Sequence, residues 1–198
     1  RVIYIKHAEK EKIISLKMEQ LEQQAPRSLE HGYYINGVLE KFVKTEIFEQ
    51  RFWICLPESF VEMPEEVSCL KYPSSARPQI IRTNLECTVN FLFNRLDNPD
   101  GLTGKEAAES FGSILSRTNP AIRIRESGEE TGDSGIELYS FDFTSFGMDD
   151  QIYHVMDFFV TGGCLIQMGF NCPLRLQGEW KPVAKEVFRT IEVGKTTL

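Results

Sequence analysis

Few residues of this chain have types and spacings that suit acid–base or nucleophilic chemistry. His154 lies inside a strongly apolar segment with Asp157 three residues later, and that spacing places two strand residues on opposite faces. Cys164 begins the next apolar segment, so a hairpin between the segments would let Cys164 approach His154 as nucleophile and base. Because no group for an oxyanion hole accompanies them, a structural histidine is the preferred interpretation of His154.

Common catalytic and metal-binding motifs are absent from the sequence. It contains neither a G-x-S-x-G nucleophile elbow nor an H-E-x-x-H zinc motif. Gly32 to Gly37 has the spacing of a phosphate loop, but Val38 and Leu39 stand where such a loop needs Lys and Ser or Thr. The 3 histidines are far apart and the 5 cysteines form no C-x-x-C pair, so neither a metal nor a cofactor is predicted.

Residues 71–78, within the proline-punctuated stretch 61–79, have the composition most typical of a binding surface. The segment is long, is punctuated by proline, and brings Lys71, Tyr72, Arg77 and Pro78 close together in the sequence. An amphipathic ring and a guanidinium are enriched at binding surfaces, so these four residues are the predicted partner-binding site. The alternative is that the Tyr-Pro and Arg-Pro steps only stiffen a long connection.

Composition and charge indicate an ordinary globular domain. The chain has 198 residues, of which 41% are apolar and 26% are charged. Its net charge is −7, and its N-terminal lysines alternate with glutamates, so nucleic-acid binding is not expected. No run approaches the roughly 18 to 20 apolar residues that a membrane span needs.

Cysteine usage indicates the cellular compartment. An odd number of cysteines without dense spacing is typical of reduced thiols, so the sequence predicts a cytoplasmic protein. Residues 1–6 have no signal-peptide core. Because the chain starts at Arg rather than Met, an export signal removed before it would leave no trace here.

Three segments have the apolar period of an amphipathic helix, namely residues 7–24, 103–118 and 178–190. The second opens on a T-x-x-E capping box at Thr103. The apolar stripe of the first, which includes Ile14, is expected to pack on the rest of the domain. A docking helix for a partner is the alternative.

Alternating apolar residues predict strands through the rest of the chain. The predicted strands are residues 38–48, 51–56, 80–83, 87–94, 121–125, 136–144, 151–160 and 163–170. Residues 126–135, rich in Glu, Gly and Ser, are predicted to form a mobile surface loop. Both faces of 151–160 are apolar, so this strand must be covered on both faces by helices or loops.

The order of these elements resembles the PsbP-like fold. The likeness is carried by the L-P-E-S-F sequence at 56–60, the glycine pair at 162–163 and the final amphipathic segment 170–191. It covers residues 38–193 and implies an αβα sandwich whose central antiparallel sheet has about six or seven strands flanked by helices. The superfamily includes PsbP, DcrB-type and Rhs-effector chaperone-type proteins, and its members look like non-catalytic accessory or binding proteins.

Pattern and resemblance together predict an N-terminal helical extension at residues 1–37 and a single α/β domain at residues 38–198. The predicted function is that of a bacterial, non-catalytic module that binds a protein partner in an accessory or chaperone-like role. Two alternatives stay open. One is a small-molecule or lipid-binding protein, suggested by the many Phe and Met side chains. The other is a hydrolase or transferase that uses Cys164 and His154.

Overall fold

The computed structural model describes residues 9–17, 27–49, 51–74, 77–147 and 150–194. The helices of these residues are α1 (9–17), α2 (Glu65–Lys71), α3 (Gly104–Thr118) and α4 (Gln177–Arg189), with a 3-10 turn at Leu174–Leu176 before α4. The strands are β1 (Arg27–Ser28), β2 (Gly32–Ile35), β3 (Val38–Glu40), β4 (Phe42–Ile47), β5 (Phe52–Pro57), β6 (Val61–Glu62), β7 (Ile80–Thr83), β8 (Asn90–Asp97), β9 (Arg123–Thr131), β10 (Glu137–Phe146), β11 (Gln151–Thr161), β12 (Cys164–Pro173) and β13 (Glu192–Val193). Both helices predicted in the second half of the chain are confirmed.

Seven strands form the central sheet, and every neighbouring pair in it is antiparallel. Their order across the sheet is β6-β7-β8-β12-β11-β10-β9. The predicted antiparallel sheet of six or seven strands is therefore confirmed. The central hairpin β11–β12 turns through Gly162 and Gly163, whose φ angles of 55° and 75° are positive, a backbone that glycine adopts without strain.

Side chains of β11 alternate between two buried faces of the central sheet. Val155 and Phe159 point to the side covered by α4, which we call the α4 face. Met156 and Phe158 point to the opposite side, the α3 face, where they meet side chains of α3. The cover on both sides that the apolar pattern predicted is confirmed, and it produces the three layers of an αβα sandwich.

The α4 face is covered jointly by α4 and by a small three-stranded sheet of order β13-β5-β4. Trp180 and Phe188 of α4 pack around Phe91 of β8, with ring centroids 6.5 and 5.9 Å from it. Phe52 of β5 meets Phe159 of β11 at 6.3 Å. Burying each of these rings stabilises the fold by about 1.5–3 kcal/mol, so this core holds the central sheet rigid.

The capping box predicted at the start of α3 is present. Thr103 Oγ1 accepts a hydrogen bond from the Glu106 amide at 3.2 Å, and the Glu106 carboxylate accepts one from the Thr103 amide at 2.9 Å. Ala107 and Ala108 follow on the buried side of the helix. Helix α3 packs against β9, β10 and β11. The neighbouring strands β12 and β8 therefore extend past the helix on this face of the sheet.

Two stretches predicted as irregular are regular in the structure. The connection 61–79 contains β6 and α2. The prediction of a mobile loop at 126–135 is wrong, because β9 extends to Thr131. A bulge in β9 places Arg125 and Glu126 opposite Asp142 of β10, whose carboxylate accepts a hydrogen bond from the Glu126 amide at 2.9 Å. Pairing with β10 thus overrides the weak strand propensity of the Glu, Gly and Ser residues.

The first strands also differ from the expected pattern. The predicted strand 38–48 is divided at Lys41 into β3 and β4, and both belong to small sheets outside the central one. Residues 27–35 form β1 and β2 where a helical extension was expected, and Ile35 lies in the main core. The division of the chain after residue 37 stays a prediction.

Only part of the predicted helix 7–24 falls within the described residues. That part is α1, which is helical as expected. Ile14 is exposed there, contrary to the expected packing of the apolar stripe on the domain. Met18 and Leu21, which continue the stripe, lie outside the described residues.

Candidate binding site

The α3 face contains a cavity of about 560 Å³ at the part of the sheet that α3 leaves open. It is bounded by α3, by Tyr72 and residues 77–79, and by strands β8, β11 and β12, and we call it the trough. Its size falls within the roughly 300–1,000 Å³ of protein ligand sites. The trough is therefore the candidate functional site.

Glycine forms the centre of the floor of the trough. Gly169 of β12 pairs with Leu92 of β8 on one side and with Met156 of β11 on the other. A Cβ atom at position 169 would lie 3.3 Å from the Leu92 side chain and 3.4 Å from Met156 Sδ. The missing side chain lets Leu92 and Met156 close over this position, and these two neighbours make the floor apolar.

Amide side chains lie on both sides of this apolar centre. Toward one end, Asn94 Nδ2 donates to Gln167 Oε1 at 3.0 Å. Toward the other end, Asn171 Oδ1 accepts from Asn90 at 2.7 Å, and Asn171 Nδ2 donates to the Tyr72 hydroxyl at 3.0 Å. The trough therefore offers an apolar middle flanked by neutral hydrogen-bonding groups.

The walls of the trough come from helix α3 and from the segment that sequence analysis singled out. Phe111 of α3 lines one side, and Tyr72, Arg77 and Pro78 line the other. The Arg77 guanidinium also contacts Cys69 Sγ in α2. Burial raises the pKa of Tyr72, so its hydroxyl stays protonated at neutral pH.

Lys71 is the one predicted binding residue that does not line the trough. Its ammonium donates to the carbonyl oxygen of Cys87, which ties the end of α2 to the turn before β8. Burial lowers the pKa of Lys71. The structure thus brings Tyr72, Arg77 and Pro78 together around one cavity and gives Lys71 a bond within the fold. Binding by these four residues stays a prediction.

The two most exposed large apolar side chains of the described residues lie on the segments that Lys71 joins. Leu70, at the end of α2, is 84% exposed, and Leu85, in the turn before β8, is 79% exposed. Leu70 stands two residues before Tyr72 in the sequence, and Leu85 stands two residues before Cys87, the partner of Lys71. We call Leu70, Tyr72, Arg77 and Leu85 the rim.

His154 lines the trough as a neutral ring. Its Nε2 lies 2.8 Å from Ser145 Oγ, and its ring stacks on Phe143 with centroids 4.5 Å apart and an interplanar angle of 3°. Burial lowers its pKa to about 4, so it carries no charge at neutral pH. These contacts are those of a structural histidine.

The Cys164–His154 pair considered from the sequence is wrong. In the β11–β12 hairpin, His154 pairs with Asn171, whereas Cys164 pairs with Thr161 next to the turn. Seven residues separate the two positions along β12, or about 23 Å at the usual rise of a strand. An odd separation also places Cys164 on the α4 face, opposite His154, and Arg95 Nε donates to its Sγ there at 3.4 Å.

A second buried polar cluster lies on the α4 face. The Asp142 carboxylate accepts from the Tyr153 hydroxyl at 2.7 Å and lies 2.9 Å from Lys181 Nζ. Burial by itself would raise the pKa of Asp142, but these bonds and that from the Glu126 amide outweigh it, so the pKa falls. Every member of the cluster has a partner, as in a structural contact between β10, β11 and α4.

Comparison with known proteins identifies the fold. No family model matches the chain, and no curated protein matches its sequence. Among solved structures, cyanobacterial PsbP (CyanoP) from Synechocystis is similar with a TM-score of 0.58 and 11% sequence identity, over 77% of this chain and 92% of that one. The Ran-binding protein Mog1p of Saccharomyces cerevisiae gives 0.52 and 12%, over 78% and 96%. The chain has a PsbP-like fold.

A third solved structure, LpqN, involved in cell envelope biogenesis of Mycobacterium tuberculosis, has a TM-score of 0.51 at 8% identity, over 81% of this chain and 94% of that one. At such identities the likeness concerns the fold alone. It confirms the PsbP-like resemblance that the element order suggested.

Sequence analysis of this PsbP-like chain missed the floor of the trough. The missed residues are Leu92, Asn94, Phe111, Gln167, Gly169 and Asn171. One signal was available, since Asn90 and Asn94 in β8, like Gln167 and Asn171 in β12, stand four apart within apolar strands. An even spacing puts them on one face, and buried amides need partners or ligands.

Neither a metal cluster nor a membrane-spanning helix is present among the described residues. In the ranges of the chain that the structure covers, no group of three or more His, Cys, Asp or Glu side chains is placed to hold a metal ion. Within the same ranges, no helix has the length and apolar character needed to cross a membrane.

Proposed function

We propose that this protein is a non-catalytic binding module that engages a protein partner through the trough and its rim. The observations that carry the proposal are a cavity lined by Tyr72 and Arg77 and two strongly exposed leucines, Leu70 and Leu85, on the segments that Lys71 joins, with 84% and 79% exposure. Exposed apolar side chains that adjoin an aromatic residue and an arginine are typical of interface anchors.

The energetics of exposure favour a macromolecular partner. Burying a leucine side chain contributes about 1.5–3 kcal/mol, and neither Leu70 nor Leu85 obtains this within the domain. A small ligand inside the trough would leave both exposed, whereas a protein surface laid across the rim would cover them. Protein binding therefore accounts for the rim and the trough together.

The fold neighbours support the same class of function. Mog1p carries the description of a Ran-binding protein, so one PsbP-like protein binds another protein. Separation of Cys164 from His154 in the hairpin removes the catalytic pair that the sequence suggested. We extend the proposal to a reduced, cytoplasmic protein without cofactor that does not bind nucleic acid, in keeping with five free cysteines and a net charge of −7.

Affinity capture from the native host tests the proposal. The bait is compared with two double variants, Tyr72→Ala with Arg77→Ala and Leu70→Ser with Leu85→Ser. We expect each to keep a Tm close to that of the wild type, because these side chains are exposed or half-buried at the edge of the fold. The protein enriched by the wild type should fall by about tenfold or more, roughly 1.4 kcal/mol.

Val38→Ser supplies the matched control, because Val38 is also strongly exposed but lies in β3, away from the trough. It should leave capture unchanged. A second cavity of about 540 Å³, lined by Ile124 and by α3, offers the competing location. Loss of capture with Ile124→Ser but not with the rim variants would refute the proposed surface.

A further inference from the structure

We propose that the trough receives one anchor residue of a partner peptide, a large apolar ring whose neighbouring residue is acidic. This inference rests on the proposed function and names the chemistry of the partner segment. The ring would lie over Leu92, Gly169 and Met156, and the carboxylate would face Arg77.

Shape and polarity of the floor select a flat apolar group. The side chains of Leu92 and Met156 close over Gly169 and give a flat apolar floor, with the Phe111 ring as a wall. Aromatic rings gain both area burial and ring contacts in such a site. A cavity of about 560 Å³ also leaves room for the peptide backbone on either side of the ring.

Gln167 presents a donor that the fold does not use. The residue is only 6% exposed and its Oε1 accepts from Asn94, yet no acceptor among the described residues pairs with its Nε2. Because Gln167 lines the trough, this amide faces the cavity. This unpaired donor, which reaches the cavity, can bind a carbonyl oxygen, and a peptide carries one at every residue.

The charge of the side chains that line the trough favours an acidic residue beside the aromatic ring of the peptide. Arg77 is the one charged side chain among the described residues that line the trough, and His154 is neutral there. A guanidinium matches the two oxygens of a carboxylate and repels an ammonium group. The partner segment should therefore place aspartate or glutamate next to its aromatic residue.

NMR signals of the methionine methyl groups report directly on binding in the trough. The chain has 5 methionines, and Met156 lies on the floor of the trough whereas Met168 is buried on the opposite face. In protein labelled at the methionine methyl groups, the probe is an acetylated and amidated tetrapeptide of glycine, phenylalanine, aspartate and glycine. We expect it to shift the Met156 signal saturably and to leave Met168 unchanged.

Two further peptides test each half of the anchor. Replacing the phenylalanine by alanine should abolish the Met156 shift. Replacing the aspartate by lysine should weaken binding by about fivefold or more, as loss of a partly exposed ion pair does. Equal binding of the aspartate and lysine peptides would overturn the role of Arg77.

Variants of the protein test whether the aspartate of the peptide contacts Arg77. Arg77→Gln should weaken the aspartate peptide by about fivefold while leaving an asparagine version of it unaffected. Arg95→Gln is the matched control, because the Arg95 guanidinium contacts Cys164 on the other face of the sheet. An equal loss with both arginine variants would contradict the inference.

The experiment separates this inference from the function on which it rests. If the peptide leaves Met156 unshifted while the rim variants still lose partner capture, the anchor is wrong and protein binding stands. If the peptide binds as expected but capture survives the rim variants, the proposed function fails. Binding of free 2-naphthoate more tightly than any peptide would make the trough a small-molecule site and refute the peptide anchor.

Discussion

Asp157 is a carboxylic acid inside the core of the central sheet. It is 1% exposed on the α4 face, and one carboxyl oxygen accepts from the Phe158 amide at 2.9 Å. Burial raises its pKa to about 8, because the hydrogen bonds from backbone amides offset only part of the cost of desolvation. The group therefore keeps its proton at neutral pH, and its burial makes the fold less stable as the pH rises from 4 to 8.

Replacing Asp157 by asparagine should remove the part of the pH dependence of stability that this carboxyl causes. Between pH 4 and pH 8 the unfolded carboxyl is ionised while the native one is protonated, so stability falls by about 1.4 kcal/mol per pH unit. Asparagine has no such proton to lose. Denaturant unfolding should therefore give a variant that matches the wild type near pH 4 and exceeds it increasingly up to pH 8. Exposed Asp100→Asn is the control, and a pH-independent difference for Asp157→Asn would contradict the prediction.

The polar cluster around Asp142 joins β9, β10 and α4. Asp142 of β10 meets the bulge of β9 and the side chain of Lys181 in α4 there, and only 3% of its side chain is exposed. Lys181 Nζ lies 2.9 Å from Asp142 and 2.8 Å from Glu126 of β9. One lysine thus fastens the helix to the edge of the sheet at two carboxylates.

Lys181→Met should lower the free energy of unfolding, because it leaves the buried Asp142 carboxylate without its cation. Removing one partner of a buried charge costs about 1–3 kcal/mol, so denaturant unfolding at pH 7 should lose that much free energy. Because the partners lower the pKa of Asp142, the deficit should shrink as acid protonates this carboxyl. Lys185→Met removes only an exposed contact with Glu126 at 3.6 Å and should change stability by less than about 1 kcal/mol. Equal losses in the two variants would disprove the special role of Lys181.

At the scale of elements, the sequence predicts what local patterns determine and fails where pairing decides. The capping box of α3 and the two-faced apolar pattern of β11 are local signals, and both hold in the structure. β9 was missed because its strand character comes from β10 and the Asp142 bulge, which no local pattern reveals. Tyr72 and Arg77 were found from composition, whereas Gly169 acquires its role only from its neighbours on β8 and β11.

At the scale of the whole molecule, the first strands belong to the body of the domain. The Tyr33 hydroxyl donates to Glu186 of α4, and the Leu29 amide donates to the same carboxylate at 3.3 Å. Ile35 is buried in the main core. By contrast, all the residues of α1 are exposed. From these contacts we expect the folded domain to begin at residue 27 rather than at residue 38.

Two truncated chains test this boundary against each other. A chain that begins at residue 27 should keep the free energy of unfolding of the full sequence within about 1 kcal/mol, because every residue of α1 is exposed. One that begins at residue 38 loses Ile35 from the core and the Tyr33 bond to Glu186, so it should lose about 3 kcal/mol or more. Denaturant unfolding of both, with Tyr33→Phe in the full chain to isolate the hydroxyl, separates packing from hydrogen bonding. Equal stability of the two truncations would return the boundary to residue 37, and an unstable chain from residue 27 would show that the N-terminal segment packs on the domain.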